Sequence, residues 1–382
     1  MDSKLRRFSV VLILSVVAYL VVTFFITLWR SPFNLTTLIA SAYEDGLVVG
    51  RNPGKAAEWY LSAAEKGDRL AQFKLGLIEY YGRGVEVDRP KGMRLISESA
   101  EHGNPDAQYF MGVSSIAGLE IPRDFTQAAT WFRKAAEQGH AKSQRQLATL
   151  YYKGTGVEAD PRQAFNWASK AAAQDDNEAL TLLGTLYLFG HGVSADPQHA
   201  VKLLTQAATA GDSQASGLLG ATYFNGVGTS IPKDLSAALN WYTRSAEQGE
   251  AKAQYVLGAL YSGGTDVPVN YPLANRWLLK AALQGHGVSL VTLAAHLDNG
   301  QGFEKNKRKA CGLLRVALKQ TLPDDMAGPM RVQLENEEKT LSPEQLTEVL
   351  AMEKLYSSPA GLRELQGDLT SEQIAKPAEP TG

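Results

Sequence analysis

The chain has 382 residues, of which 44% are hydrophobic and 20% are charged, and its formal net charge is −2. This is globular composition, and the length is ample for a large core. Because there is no overall basic field, a nucleic-acid partner is not expected. The single cysteine, Cys311, excludes a framework of intramolecular disulfides and any metal site that needs several cysteines.

The first predicted element is an uncharged apolar stretch. Residues 8–29 read FSVVLILSVVAYLVVTFFITLW, and a helix of this length spans a hydrocarbon core of roughly 30 Å. A cleaved signal peptide is the alternative, but its apolar region usually has about 7–15 residues and ends in a small-x-small cleavage site. This stretch is longer and continues into Arg30-Ser31-Pro32, which favours an uncleaved membrane anchor.

The basic residues around this stretch predict its orientation. Lys4, Arg6 and Arg7 precede it, whereas only Arg30 follows closely. The positive-inside rule then places residues 1–7 in the cytoplasm and the rest of the chain on the other side, which is the periplasm in a bacterium. We therefore expect a single-pass inner-membrane protein, with a cytoplasmic orientation of the repeats as the open alternative.

A repeat with a step of 36 residues follows the apolar stretch. Each unit has leucine or methionine eight residues after its start, then glycine or alanine, and later tryptophan or leucine followed by a pair of small residues. Small and large apolar residues spaced three to four apart predict two amphipathic helices per unit. The unit starts are Gly67, Gly103, Gly139, Asp175, Gly211, Gly249 and Gly285, and the unit from Gly211 is two residues longer.

The same register extends beyond the obvious starts. Counting back from Gly67 gives a degenerate first unit from Ser31, and counting forward from Gly285 gives a degenerate last unit that ends near residue 320. We therefore expect eight units in residues 31–320, with the atypical ends that a solenoid requires.

A G-x-G motif lies between the two helices of four units. A phosphate-binding loop would be expected once, after a strand, whereas this motif recurs between helices. It is therefore predicted to be a turn in which glycine ends the first helix in the left-handed conformation. Asp160-Pro161 and Asp196-Pro197 then supply an N-cap and a first-turn proline for the second helix.

This pattern resembles the Sel1-like repeat family, a relative of the tetratricopeptide repeats. The resemblance rests on A-x-x-x-L-G-x-x-Y in the first helix, the G-x-G-V turn and A-x-x-W-x-x-x-A-A in the second, and its clearest copy runs from Ser143 to Ala172. It covers about three quarters of the chain and implies an all-α fold, an α/α solenoid whose inner face binds other proteins or envelope components. Some secreted Sel1-like proteins with paired cysteines have been linked to penicillin binding, but this chain lacks those pairs.

The sequence predicts no catalytic, cofactor or metal site. His140, His191 and His286 fall in the turns of the repeat, and neither H-E-x-x-H nor G-x-S-x-G occurs. Cys311 is expected to be a small buried apolar residue rather than a reactive thiol. The tryptophans that share one repeat position are expected in the core; they are Trp59, Trp131, Trp167, Trp241 and Trp277.

One face of the first helix is the candidate site. Residues six and thirteen after each unit start share a helix face, which lies opposite the leucine or methionine found eight residues after the start. Several of them are tyrosine or arginine, which are enriched at binding hot spots. The alternative is that they pack against the neighbouring unit. The residues predicted to line a partner-binding groove are Phe73, Tyr80, Tyr109, Arg145, Tyr152, Phe224 and Tyr255.

After Leu318 the repeat register fades. Residues 321–329 read as a loop, and Ser342-Pro343-Glu344-Gln345 predicts a capping box that opens an amphipathic helix. We expect residues 321–365 to cover the open end of the solenoid, with docking to a partner as the alternative, and residues 366–382 to be a disordered tail.

Together these features predict a non-enzymatic scaffold or adaptor for protein–protein interaction. It is expected to be anchored in the inner membrane and to support assembly or regulation of an envelope complex. A regulator of a signalling or proteolytic membrane complex would have the same features. The alternative from another class is a periplasmic protein that binds glycan, peptidoglycan or β-lactams, or a hydrolase, for which the sequence shows no nucleophile with a base nearby.

Overall fold

The computed structural model describes residues 35–46 and 50–368. The predicted anchor at residues 8–29 lies outside this range, and so does the predicted tail apart from its first three residues. Both remain predictions. Between residues 35 and 368, no described helix is both long and apolar enough to cross a membrane.

The described residues form nineteen helices and no strand. In chain order, the helices of the repeats alternate between a first and a second helix of each pair. The pairs are α1 (Leu35–Asp45) and α2 (Pro53–Ala64), α3 (Arg69–Tyr81) and α4 (Arg89–Glu101), α5 (Pro105–Ala117) and α6 (Phe125–Glu137), α7 (Ala141–Lys153) and α8 (Pro161–Ala172), α9 (Asn177–Phe189) and α10 (Pro197–Thr209), α11 (Ser213–Asn225) and α12 (Leu235–Glu247), α13 (Ala251–Gly263) and α14 (Tyr271–Ala282), and α15 (Gly287–Asn299) and α16 (Lys307–Ala317). Three helices follow: α17 (Asp324–Glu338), α18 (Pro343–Tyr356) and α19 (Pro359–Glu364).

The chain divides into two compact units. Unit 1 is Met1–Asp176 and contains α1 to α8, and unit 2 is Asn177–Gly382 and contains α9 to α19. In both units each first helix packs on the second helix of its own pair, and within a unit each second helix packs on the first helix of the repeat that follows it. The predicted two helices per repeat are confirmed.

A glycine in the first helix lets the two helices of a pair approach closely. A Cβ atom added to Gly112 would lie 2.5 Å from the ring of Phe132, which is fully buried on α6. In the next repeat, Ala148 takes the place of the glycine, and the large residue opposite is replaced by Ala168. The same contact of glycine with a large side chain recurs at Gly76 and Ile96, Gly184 and Leu204, Gly220 and Tyr242, and Gly258 and Leu278.

The G-x-G motif is a turn, as predicted. Gly154 ends α7 with φ of 64° and ψ of 36°, in the left-handed region that disfavours other residues. The second glycine, Gly156, lies against the backbone of Phe125 in the preceding repeat, where a Cβ atom has no space. Asp160 then caps α8 by accepting the backbone N–H groups of Arg162 and Gln163.

Glutamine side chains connect successive repeats. Gln138, at the end of α6, donates from Nε2 to Oε1 of Gln108 on α5 at 2.8 Å. Gln108 donates in turn to the carbonyl of Ala100 on α4 at 3.0 Å, so one side chain links three consecutive helices. Gln174, Gln144 and Ala136 repeat this arrangement, as do Gln284, Gln254 and Ala246 in unit 2.

The tryptophans lie at the edge of the core rather than inside it. Trp59 is 39% exposed, and Trp131 and Trp167 are half-buried. A basic side chain three residues later covers each ring of the central repeats: the ammonium of Lys134 lies 4.3 Å from the Trp131 ring centre, within cation–π range. The same cation–π contact is made to Trp167 by Lys170, to Trp241 by Arg244 and to Trp277 by Lys280.

The loop predicted for residues 321–329 is wrong, because α17 begins at Asp324 and continues through Pro329. Two acidic residues in its first turn, Asp324 and Asp325, favour the helix N-terminus electrostatically. The run of good helix formers after Pro329 outweighs the cost of the proline, which lies early in the helix.

The capping box that opens α18 is confirmed, with both hydrogen bonds between Ser342 and Gln345 present. This helix packs on α16, where Gly312 leaves space for Met352. Arg315 of α16 pairs with Glu338 of α17 at 2.6 Å and with Glu353 of α18 at 2.5 Å. Two ion pairs of Arg315 thus connect helices α17 and α18 to the last repeat.

Cys311 is buried between these helices, as predicted. Its thiol donates to Oε2 of Glu337 at 3.2 Å. The pKa of the Cys311 thiol is raised to about 12, mainly by burial and to a smaller extent by the nearby Glu337 carboxylate. The thiolate is therefore disfavoured.

The close contact of glycine with a large side chain can be tested by a double-mutant cycle. Gly112→Ala forces a Cβ atom against Phe132 and is expected to cost about 1–3 kcal/mol of unfolding free energy. Phe132→Ala is expected to cost about 3–5 kcal/mol. The double variant reproduces the Ala148–Ala168 pair, so it should lose clearly less than the sum, as measured by urea unfolding.

Gly217→Ala is the matched control, because Gly217 is also helical but a Cβ atom there meets only the Ser245 hydroxyl at 3.3 Å. It should cost clearly less than Gly112→Ala, because only the Ser245 hydroxyl has to shift, by a few tenths of an ångström, while helix propensity favours alanine by up to about 1 kcal/mol. Strictly additive losses at positions 112 and 132 would contradict the packing account.

Unit 2 should lose stability in acid through His296. This side chain is 5% exposed, and its Nδ1 lies 2.5 Å from Oδ1 of Asn275. Burial lowers the pKa of His296 to about 4 from its ordinary value of 6.5, so the unfolded chain binds the proton first. Stability should therefore fall as pH drops from about 6.5 to about 4, by up to roughly 3 kcal/mol.

Urea unfolding at pH 7, 5.5 and 4.5 measures this slope. His296→Gln keeps a donor to Asn275 without titrating, and should flatten the pH dependence. The same change at the exposed His102 is the control. An unchanged slope in His296→Gln would rule out His296 as its source.

Candidate functional site

The predicted binding face lies where one repeat meets the next. The residue six after each unit start is here called position six. In five repeats its side chain contacts the residue directly after the next start, which immediately precedes the following first helix. In unit 1, Thr37 donates to the Asp68 carboxylate at 2.6 Å, and the Tyr109 ring lies 5.2 Å from that of His140. In unit 2, Thr181 donates to Asp212 at 2.8 Å, and Tyr255 lies 4.8 Å from His286.

The cap residues explain why these contacts recur. One carboxylate oxygen of Asp68 accepts the backbone N–H groups of Leu70 and Ala71, and the other accepts the Thr37 hydroxyl. His140 instead accepts the Ser143 N–H at Nδ1, and its Nε2 lies 3.4 Å from the Asp106 carboxylate. The hydrogen bond from His140 holds the pKa of Asp106 below its ordinary value.

The seven predicted groove residues differ in their surroundings. Phe73 and Tyr80 are 9% and 8% exposed and belong to a core cluster with Ile96 and Met111. Arg145 forms an ion pair with Asp176 at 3.0 Å, and both side chains are nearly buried. The four others, Tyr109, Tyr152, Phe224 and Tyr255, are half-buried. The face therefore serves contacts between repeats, and only part of it is open to a partner.

Two of the seven residues, Phe73 and Tyr109, line an open pocket of about 520 Å³ in unit 1. It lies between α3, α5 and α7, with rings and an aliphatic side chain on its walls and Asp106 and Lys142 at its polar side. We call it the aromatic pocket; its lining residues are Phe73, Leu77, Tyr81, Asp106, Tyr109, Phe110, His140, Ala141 and Lys142.

The most exposed ring of the aromatic pocket is that of Tyr81. Tyr81 is 53% exposed, and the Arg83 guanidinium lies 5.2 Å from its ring centre. Tyr80 supports the pocket from behind, with its ring edge-to-face against Phe110 at 5.7 Å. This arrangement can hold an apolar or aromatic side chain and place a charged neighbour at the rim.

Sequence reasoning missed Leu77, Tyr81 and Phe110. Their positions vary freely between repeats, so an aromatic residue there fills no repeated packing need. Tyr81 and Phe110 could therefore have been identified from the sequence, as aromatic residues that the repeat does not explain.

Within residues 35–46 and 50–368, no three or more His, Cys, Asp or Glu side chains are placed to hold a metal ion.

Eight stretches of the chain match the Sel1 repeat, at residues 37–68, 69–104, 105–140, 141–176, 177–212, 213–250, 251–286 and 292–321. The chain belongs to the Sel1 repeat family, and its fold is an all-α solenoid of these repeats. Sel1 repeat proteins typically act as protein-interaction scaffolds and are generally non-enzymatic. The predicted repeat family is confirmed.

Several solved structures are similar. A Sel1 repeat protein from Oxalobacter formigenes is 35% identical, over 66% of this chain and 73% of that chain, with a TM-score of 0.53. A protective antigen of uropathogenic Escherichia coli displaying an SLR fold is 25% identical, over 90% and 88%, with a TM-score of 0.48. An immunity protein from Pseudomonas aeruginosa is 22% identical, over 67% and 83%, with a TM-score of 0.38. A sequence search among curated proteins finds no match.

The ion pair of Arg145 makes a structural role for this residue testable. Arg145→Ala removes the cation from Asp176, whose side chain is only 12% exposed, and is expected to cost about 2–4 kcal/mol of unfolding free energy. Lys142→Ala, a matched change of an exposed cation on the same helix, should stay within about 0.5 kcal/mol. Equal urea midpoints for the two variants would show that the pair contributes little.

Proposed function

We propose that this protein is a scaffold held at the inner membrane by residues 8–29, with its repeats in the periplasm. In this proposal the aromatic pocket of unit 1 binds a partner protein of an envelope complex. The proposal builds on the protein-binding role of Sel1 repeat proteins. The observation that carries it is the exposed Tyr81 ring beside a pocket of about 520 Å³ with a charged rim.

The location is supported by the sequence. Residues 8–29 carry no charge, and three basic residues precede them against one that follows closely. Only residues 30–34 separate this stretch from α1, and five extended residues reach roughly 17 Å. The first repeat would then stay close to the membrane surface, which suits a scaffold that positions another membrane protein.

A photo-crosslinking residue at Tyr81 tests the pocket. In membranes of the native cell, we expect one recurrent envelope protein to be captured from position 81. The control is the same residue at Leu119, which is also exposed in unit 1 but does not line the pocket. Phe110→Ala should reduce the capture about tenfold or more, since it removes a buried contact of the bound side chain.

Equal capture from positions 81 and 119, or capture that Phe110→Ala leaves unchanged, would argue against the aromatic pocket. Circular dichroism of each variant shows whether the helices remain.

The topology needs its own experiment. An alkaline phosphatase fusion at the C-terminus should be active, and a cytoplasmic reporter at the same site should be silent. The opposite pattern would overturn the periplasmic location while leaving the binding surface unaffected.

A further inference from the structure

Unit 2 has a pocket beside the one position six that lacks a side chain. The residue at this position is Gly217, whereas the other repeats carry Thr37, Phe73, Tyr109, Arg145, Thr181, Tyr255 and Val291. In its place lies an open pocket of about 280 Å³ between α11 and α13, which we call the Gly217 pocket.

The floor and walls of the Gly217 pocket are apolar. The floor is the ring of Tyr242, which is 7% exposed and is held against Gly220 of α11. Leu218, Ala221 and Val256 supply aliphatic walls. A dry apolar cavity of about 150 Å³ is enough to hold benzene, so this pocket has room for a leucine or phenylalanine side chain.

The rim of the pocket carries one carboxylate, that of Glu250, and one ammonium, that of Lys252. Glu250 caps α13 and accepts the Ala253 N–H at 2.6 Å, so the helix N-terminus balances its carboxylate. Lys252, in the first turn of α13, is exposed and adds a cation beside the same positive helix end. An apolar side chain in the pocket would therefore be best accompanied by an acidic neighbour at Lys252.

We propose that the Gly217 pocket binds an apolar side chain of a partner protein that is flanked by aspartate or glutamate. The apolar side chain packs on the Tyr242 ring, and the flanking carboxylate contacts Lys252. This site lies in unit 2 and does not depend on the aromatic pocket of unit 1.

The test uses a random peptide display library, selected on the full-length protein in nanodiscs. Gly217→Tyr is the blocking variant: it restores a side chain that position six carries at Tyr109 and Tyr255, and a Cβ atom there meets only the Ser245 hydroxyl. Gly217→Ala leaves most of the pocket open and is the matched control. Ala221→Phe fills the same pocket from another position if Gly217→Tyr does not fold.

We expect a class of peptides with a leucine or phenylalanine next to an acidic residue. These peptides should bind at least about tenfold more weakly to Gly217→Tyr, and nearly unchanged to Gly217→Ala. Lys252→Glu should weaken the same peptides several-fold while peptides without the acidic residue keep their affinity.

The inference is overturned if no selected peptide responds to Gly217→Tyr or Ala221→Phe in variants that keep their helical circular dichroism. It is also overturned if the responding peptides lack the acidic neighbour and ignore Lys252→Glu. Peptides that are lost only on Phe110→Ala occupy the aromatic pocket. They would support the proposed function, and as the only class found they would count against the Gly217 pocket.

Discussion

The close approach of the two helices in each pair is the constraint on which the rest of the structure depends. The backbones meet at a position where five repeats have glycine facing a large side chain, and one has alanine facing alanine. Interiors are packed to near-crystalline density, so the two side chains that face each other at this position have to fit together. With the two helices of a pair held together, the residue before a first helix contacts the position-six residue of the previous repeat in five cases. Glutamine side chains then link three consecutive helices.

That geometry gives position six two roles that compete. A side chain that contacts the residue before the next first helix, such as Arg145 with Asp176, stabilises the stack and is largely withdrawn from solvent. An aromatic residue such as Tyr109 packs on the cap residue and still lines a pocket. Gly217 has no side chain to make this contact and lines an open pocket. Recognition can therefore vary from repeat to repeat while the helix pairs stay the same.

Much of the fold could be predicted from the sequence, because the same residue pattern recurs in several repeats and exceptions in single repeats do not hide it. The helix pairs, the G-x-G turn, the capping box at Ser342 and the burial of Cys311 all follow from residue spacing. Helix α17 was missed because Gly328 and Pro329 read as a breaker, while its stability comes from flanking residues. The binding face was predicted from helical periodicity, which shows which residues share a face but not what they meet. The partners of Thr37 and Arg145 lie 31 residues away on another helix, and no single-helix argument reaches them.

The two extra residues of the unit from Gly211 have a consequence for how this chain tolerates change. They fall between Gly226 and Asp234, where Val227 and Ile231 form an isolated bridge, and the glutamine contacts resume unshifted at Gln254 and Ala246. Length added in this turn is therefore absorbed without altering the packing register of the helices. Such a turn is a natural point for circular permutation or domain insertion, whereas a single residue added inside a helix would put every later side chain of that helix out of phase by about 100°.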